Sequence, residues 1–492
     1  KITERLTRLL NNFAPIELIV LIFSIATSIA LPFVASDVLS ANNGNDKEFN
    51  GFSPLVASKP IYDIYGQRVR PFDTSFYVNY LNGVKEEEVA NVKQLLDTYL
   101  VDYHKLFDRH HFYYQIDLDD PRSPSEYDIA NRQRVNNLRV INENLNAWVE
   151  VDRVLYDIIE TSLELADKTR GFFNPFVGEL TDFWAPFLPG DSFDDDYEYP
   201  TFYDPINHEL NRAKLEEIVS FVPKTGAEIT ATVSFKIESE RHYVRLNSFN
   251  GAENGELSLT LGGIAKGYMA DILERIMLDN NLLNGYIFGG ASTITSLNPR
   301  YFGQPLVVSM SSIIPGDFTN AFEFSREEQF RMSTSGTYQG EWTENLATSE
   351  KYLRSHIIDP FTGYPANRSQ QLVSVISKDL SGTELEILST SLVVMDKDEG
   401  LALIEQEYQN VDVGVAYLSL SDQIYTVEIS KDFAGDGETK NFSSNYQVSY
   451  FEGGKPLSTT MIMLFVSLGL VTLSALLFAT IKLIKYKQKY EN

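Results

Sequence analysis

Residues 256–277 read ELSLTLGGIAKGYMADILERIM, and the order of residue types along this run decides the fold expected around it. Leucines at every second position, Leu257, Leu259 and Leu261, predict an extended strand. The pair Gly262 and Gly263 permits close backbone approach, and the apolar spacing that follows predicts a helix. Strand, bare turn and helix in that order form a corner where free N–H groups at the helix start attract an anion, with Lys266 adding a point charge. Turn 262–267, Gly267 included, is therefore a candidate phosphate cradle. Its rival reading is an ordinary strand-turn-helix corner carrying a surface lysine.

Downstream, residues 285–293 (GYIFGGAST) repeat the theme, with Gly289 and Gly290 closing a short predicted strand. They offer backbone to a flavin or pyrophosphate; a bulge or tight bend explains them equally. Residues 332–338 (MSTSGTY) concentrate hydroxyls, Ser335 among them, that suit phosphate or ribose, although such runs are often plain turns. Residues 355–367 (SHIIDPFTGYPAN) hold His356, a proton acceptor near neutral pH, and a turn that Asp359 and Gly363 help to shape. Residues 381–394 (SGTELEILSTSLVV) predict a helix with Glu386 and Thr390 four apart on one face, oxygen donors suited to Mg2+. Thr383 and Glu386 also match the capping-box spacing, and on the residues alone the cap is the favoured reading.

The 492 residues suffice for a large core; 43% are hydrophobic, 22% charged, and the order of predicted elements is mixed α/β. A net charge of −27 without a basic groove argues against nucleic acid as partner. With no cysteine there are no disulfides, thiolate metal sites or lipidated cysteine, so any membrane anchor is helical. Residues 16–35 and 461–481 are each apolar and long enough to span. Basic residues outside them (Lys1, Arg5, Arg8; Lys482, Lys485, Lys487, Lys489) predict two cytoplasmic termini and an extracytoplasmic middle, with the first span retained rather than cleaved as a signal peptide. The expected division is 1–40 for tip and span, 41–60 for a polar linker, 61–450 for the folded region, 456–482 for the second span and 483–492 for a basic tail. Helices are predicted over 86–107 and about 151–168. Polar loops are predicted over 117–134 and 191–199, the latter acidic and more a solvated surface than a calcium loop.

Taken together, these stretches resemble the ApbE family of flavin transferases over roughly 62–429. LGGIAKGYMAD and SHIIDPFTGYPA carry the resemblance, supported by ADKTRGFFNPFVGELTDFW and NGYIFGGAS. It implies an α+β, ApbE-like (T-fold-type) domain that takes FAD, transfers its FMN half to a threonine or serine of a target flavoprotein and releases AMP, with Mg2+. By position it places Gly262, Gly263, Lys266, Gly267, Gly289, Gly290, Ser335, Asp359 and Gly363 at the cofactor, and Ala265, Glu386 and Thr390 at the metal. His356 stands where a base is expected, and Lys266 and Asp271 support the reaction. Thr260 and Glu386 stand where the family has aspartates. The alternative they raise is a flavin-binding or scaffolding subunit of a membrane assembly.

Overall fold

The computed structural model describes residues 55–451 apart from 58–60, 81–85, 115–133, 189–198, 283–284, 291, 298–305, 318, 327, 410 and 435–441. Both candidate spans, residues 117–133 of one predicted loop and 191–198 of the other lie outside the described residues. No helix among the described residues is long and apolar enough to cross a membrane.

Nine strands form the main sheet: β1 (Leu55–Ala57), β2 (Phe76–Tyr80), β3 (Gly285–Gly289), β4 (Thr293–Ser296), β5 (Arg331–Gly336), β6 (Gln370–Ser377), β7 (Gly414–Ser421), β8 (Ile424–Ser430) and β9 (Gln447–Phe451). They lie side by side in chain order. Every neighbouring pair is antiparallel except the last, where β9 runs parallel to β8. Four helices matter for the site: α1 (Glu86–Phe107), α2 (Arg153–Lys168), α3 (Ala265–Asp279) and α4 (Gly382–Val394).

β6 is buried along its whole length because both of its faces are covered. Val373 and Val375 pack in one cluster with Leu385, Leu388 and Leu392 of α4, whereas Leu372 and Ile376 pack with Phe322 and Phe324 of a hairpin, Leu306–Ser311 and Asn320–Arg326, on the opposite face. Each such apolar side chain contributes roughly 1.5–3 kcal/mol. α3 lies between strands β2 and β3 and helix α1, clustering Met269, Leu273 and Met277 with Phe76, Ile287, Val92, Leu96 and Leu100. On α1 the buried line runs through Val92, Leu96 and Leu100, and Leu95, which falls to its side, is 38% exposed. The long β2–β3 connection builds a second lobe, in which α2 and a three-stranded sheet enclose Leu155, Ile159, Val244, Leu257 and Leu259.

Three local expectations are corrected. Residues 256–261 alternate in residue type but form no strand, and Leu257, Ser258 and Leu259 are all buried: Asn142 donates to the Leu259 carbonyl and accepts its N–H, both at 2.9 Å, doing with one side chain what a neighbouring strand would do. Most of the hydroxyl run 332–338 is not a turn; residues 332–336 belong to β5, inside the sheet. The expected linker 41–60 contains β1, which pairs with β2.

Candidate active site

The site begins where α3 and α4 cross. A Cβ on Gly267 would stand 2.3 Å from the Gly382 carbonyl oxygen, so only glycine allows this approach. The crossing is pinned by Asp271, whose carboxylate accepts the N–H groups of Gly382 (2.7 Å) and Thr383 (2.9 Å) and the Thr383 hydroxyl. Burial pushes the Asp271 carboxyl up, and those three donors hold its ionised form against that push. Ser381 then caps the Glu384 N–H at 3.1 Å and Glu384 returns to the Ser381 N–H at 3.1 Å. The capping box is therefore Ser381 with Glu384, not Thr383 with Glu386. The Thr383 hydroxyl goes to Asp271, and Glu386 plays no part in capping its own helix.

Glu386 lies one turn into α4, 2% exposed, facing the start of α3. Its carboxylate accepts the Gly267 N–H, closer than an ordinary hydrogen bond, and pairs with the Lys266 ammonium at 2.8 Å. One of the N–H groups expected to hold phosphate is thus spent on a carboxylate, which the helix N-terminus also favours. A turn further along α4, Thr390 Oγ1 lies 3.1 Å from Ser335 Oγ on β5, and Ser335 Oγ lies 2.8 Å from Ser389 Oγ. The hydroxyl alternation of β5 thereby acquires a purpose: Ser333 and Ser335 face α4, while Met332 packs on the opposite, hairpin side, and Met332, Thr334 and Ser335 all border the cleft.

That cleft has a volume of about 460 Å³. Among the expected residues, Gly262, Gly263, Lys266, Ser335, His356, Glu386 and Thr390 line it together. His356 opens onto the cleft, and the surrounding protein together with the Lys266 charge lowers its pKa to about 4, so the imidazole is neutral at physiological pH. Thr260 braces the glycine turn, its Oγ1 accepting the Gly262 N–H at 3.3 Å.

The remaining expected residues stand elsewhere. Asp271 is a helix-pinning residue under the site. Ala265, expected to serve through its backbone, opens α3 with its side chain buried in the second lobe's core, which leaves that expectation neither met nor contradicted. Gly267 lies in the helix crossing, not at the cleft wall. Gly289 and Gly290 end β3 packed against Phe76 and Thr74, respectively, with Gly290 at φ +63. Asp359 and Gly363 build the turn that holds His356's segment: Gly363 N–H donates to the Asp359 carbonyl at 2.8 Å, and the Trp184 indole donates to the Gly363 carbonyl at 2.8 Å.

Sequence reasoning missed Phe173, Tyr338 and the strand residues Ser309, Met310 and Ser311, all of which line the cleft. Phe173 sits in the quoted GFFNPF stretch, where an aromatic pair before an Asn-Pro turn was a usable signal. Phe173 Cε2 lies 3.1 Å from where a Gly263 Cβ would stand. The hairpin residues carry no local signal, because only the fold brings them over the sheet.

The donors suit a hard cation in part. Ser335, Glu386 and Thr390 offer oxygen only and a single charge. No group of three or more His, Cys, Asp or Glu able to hold a metal occurs among the described residues. Ser335, Glu386 and Thr390 would hold such a cation only together with further oxygen donors, and Mg2+ commonly takes those from phosphate and water.

Comparison with known proteins adds the lineage. The FAD:protein FMN transferase of Escherichia coli strain K12 is 24% identical over 266 residues, covering 54% of this chain and 65% of that protein. Its namesake from Treponema pallidum strain Nichols is 26% identical over 274 residues, covering 54% and 66%. The chain thus spans slightly less than two thirds of these relatives' own lengths. The solved flavin transferase ApbE from Vibrio cholerae shares the fold at TM-score 0.50 and 19% identity, over 78% of this chain and 99% of that one. Residues 125–415, more than half of the chain, match the ApbE family, and the chain belongs to that family.

Proposed function

We propose that the protein is an FAD:protein FMN transferase, joining the FMN half of FAD to a threonine or serine hydroxyl of an acceptor protein and releasing AMP. The observation that carries this reading is the convergence on one cleft of a bare glycine turn, Lys266, His356 and the Glu386–Thr390–Ser335 oxygen group. In the reaction the acceptor oxygen bonds to the FMN phosphorus, the anhydride bond to the AMP phosphate breaks, and the hydroxyl proton goes to a base. Most of the rate enhancement in such a transfer comes from alignment and from neutralising phosphate charge.

Each residue has a task of its own. Gly262 and Gly263 let the diphosphate approach the backbone, Lys266 offers it a positive charge, and neutral His356 accepts the hydroxyl proton. The pKa of His356 rises when a diphosphate offsets Lys266, which brings the base closer to working pH as substrate binds. Glu386, Thr390 and Ser335 would hold Mg2+, which would polarise the phosphate. Thr260 keeps the turn braced without the charge that the family's aspartate carries.

A second reading, a flavin-binding or scaffolding subunit without transfer, is favoured by one observation: the Glu386 carboxylate is already engaged by Lys266 and Gly267. Incubating the full chain with FAD, Mg2+ and a threonine-bearing acceptor separates the two. An FMN adduct on the acceptor in the mass spectrum supports transfer, and FAD binding without any adduct supports the scaffold. Membrane attachment through 16–35 and 461–481, with the domain extracytoplasmic and both termini cytoplasmic, completes the proposal; it rests on the apolar runs and their basic flanks. An acceptor in that compartment is itself secreted or membrane-tethered, and other membrane-complex subunits are candidate neighbours.

A further inference from the structure

Both oxygens of the Glu386 carboxylate are engaged before any ligand arrives: Oε1 lies 2.8 Å from the Lys266 ammonium, and Oε2 accepts the Gly267 N–H. A carboxylate only 2% exposed is tolerated because it is paired. The cluster is neutral in sum, one carboxylate and one ammonium beside the hydroxyls of Ser335 and Thr390. A bare divalent cation therefore meets an ammonium at the oxygen it needs, and hydroxyls alone are poor ligands for it. Lys266, unlike Glu386, has freedom to leave: its side chain is 28% exposed, sits on a flexible stem and lines the cleft.

We propose that Lys266 is a resident counter-ion that couples metal binding to dinucleotide binding. In the empty site it guards Glu386; when a diphosphate enters the cleft, the ammonium turns to the phosphate and releases Glu386 to the cation. Either ligand alone leaves one charge unsatisfied, because metal alone must displace the ammonium and diphosphate alone draws it away from a buried carboxylate. Together, each ligand repairs what the other breaks. The two therefore bind with positive cooperativity, equal in both directions, and the lysine is the two-position element that transmits it. This rests on the reading of the cleft as a dinucleotide and metal site.

The test counts free Mn2+ by electron paramagnetic resonance in titrations of the full chain, with and without FAD, for the parent and for Lys266→Met. Mn2+ stands in for Mg2+ because both prefer oxygen donors. The parent is expected to bind Mn2+ weakly alone and at least about tenfold more tightly with FAD. Lys266→Met is expected to bind Mn2+ without FAD at least about tenfold more tightly than the parent, and to keep only that share of FAD's tightening which comes from the phosphate's own bonds to the ion. Lys266→Gln, which keeps a hydrogen-bond donor toward Glu386 without the charge, gives the same comparison if the methionine variant does not fold. Equal or weaker Mn2+ affinity in the uncharged variants without FAD overturns the proposal, as does FAD binding to the parent with no effect on Mn2+. If neither protein binds FAD, the dinucleotide reading of the cleft falls, and the proposed coupling falls with it. The Mn2+ comparison without FAD then still decides whether Lys266 guards Glu386.

Discussion

At the scale of single residues, Glu386 shows how two readings of one side chain separate once its neighbours are known. As a cap it would set helix stability, but Ser381, Glu384 and Asp271 already satisfy the start of α4. Glu386→Gln is therefore expected to lower stability by only about 1 kcal/mol, since the partly exposed Lys266 ammonium returns to water. FMN transfer is expected to fall roughly 100-fold or more, whereas Glu386→Asp keeps the charge and a measurable rate. Parallel urea unfolding and single-turnover transfer assays check this; a glutamine variant as active as the parent sinks the ligand role. His356 gives a second prediction. Its pKa lies at about 4 in the ligand-free protein, so protonation there, and any loss of kcat/KM owed to it, belongs near pH 4 rather than at the ordinary value of about 6.5. The chain has only six histidines, so one ring resonance missing from His356→Asn assigns the signal in an NMR titration. It should titrate well below the ordinary value and move upward in Lys266→Met, whose lost charge is the second cause of the shift. A midpoint near 6.5 in the parent contradicts the electrostatics described for the cleft. The residues alone left Lys266, His356, Glu386 and Thr390 with ordinary structural readings, the cap being favoured for Glu386; the resemblance to the ApbE family put them at one site, and the structure brings all four to one cleft. The real partner of Thr383 was not legible in the sequence, since Asp271 lies on another helix and no local rule reaches it.

At the scale of elements, the crossing of α3 and α4 positions the site, and it depends on absent side chains. Gly267→Ala places a methyl group 2.3 Å from the Gly382 oxygen and 3.0 Å from Glu386 Cβ. The helices must separate, at about 1–3 kcal/mol, and the Gly267 N–H is drawn off Glu386. Thermal unfolding should show the loss, and metal affinity should change with it; an unchanged melting temperature means the helices tolerate the methyl and do not pin the site. Element boundaries set by periodicity or by a cap were legible: α1, α2 and α4 fall where the pattern put them, α2 starting after the Asp152 cap. Elements set by distant partners were not. The run 256–261 has a strand's alternation but meets Asn142 instead of a strand, and the hydroxyl run in β5 looks like a turn because serine and threonine serve turns and small-residue packing under a helix alike.

At the scale of the whole molecule, chain order across the sheet ties the fold to the proposed anchoring. β1 and β9 are the edge strands of a nine-stranded sheet, so the described chain enters at one edge and leaves at the other. Eight spacings of about 4.8 Å set the two edges roughly 40 Å apart. Such an order was not legible beforehand, because pairing between strands separated by up to some two hundred residues is decided by tertiary packing. On the proposed topology, anchors leading to opposite edges would restrain the domain's rotation, which a single anchor would not. The orientation itself is tested through the chain's lack of cysteine, which makes any introduced thiol a unique label site. Leu210 is 75% exposed on the domain, and Lys489 lies in the basic tail. With an impermeant maleimide, Leu210→Cys should be labelled in intact cells and Lys489→Cys only after permeabilisation. The reverse pattern inverts the proposed topology and puts the cleft on the cytoplasmic side. Labelling of both positions in intact cells means that the second run does not span, and the domain is then held, if at all, from the β1 edge alone.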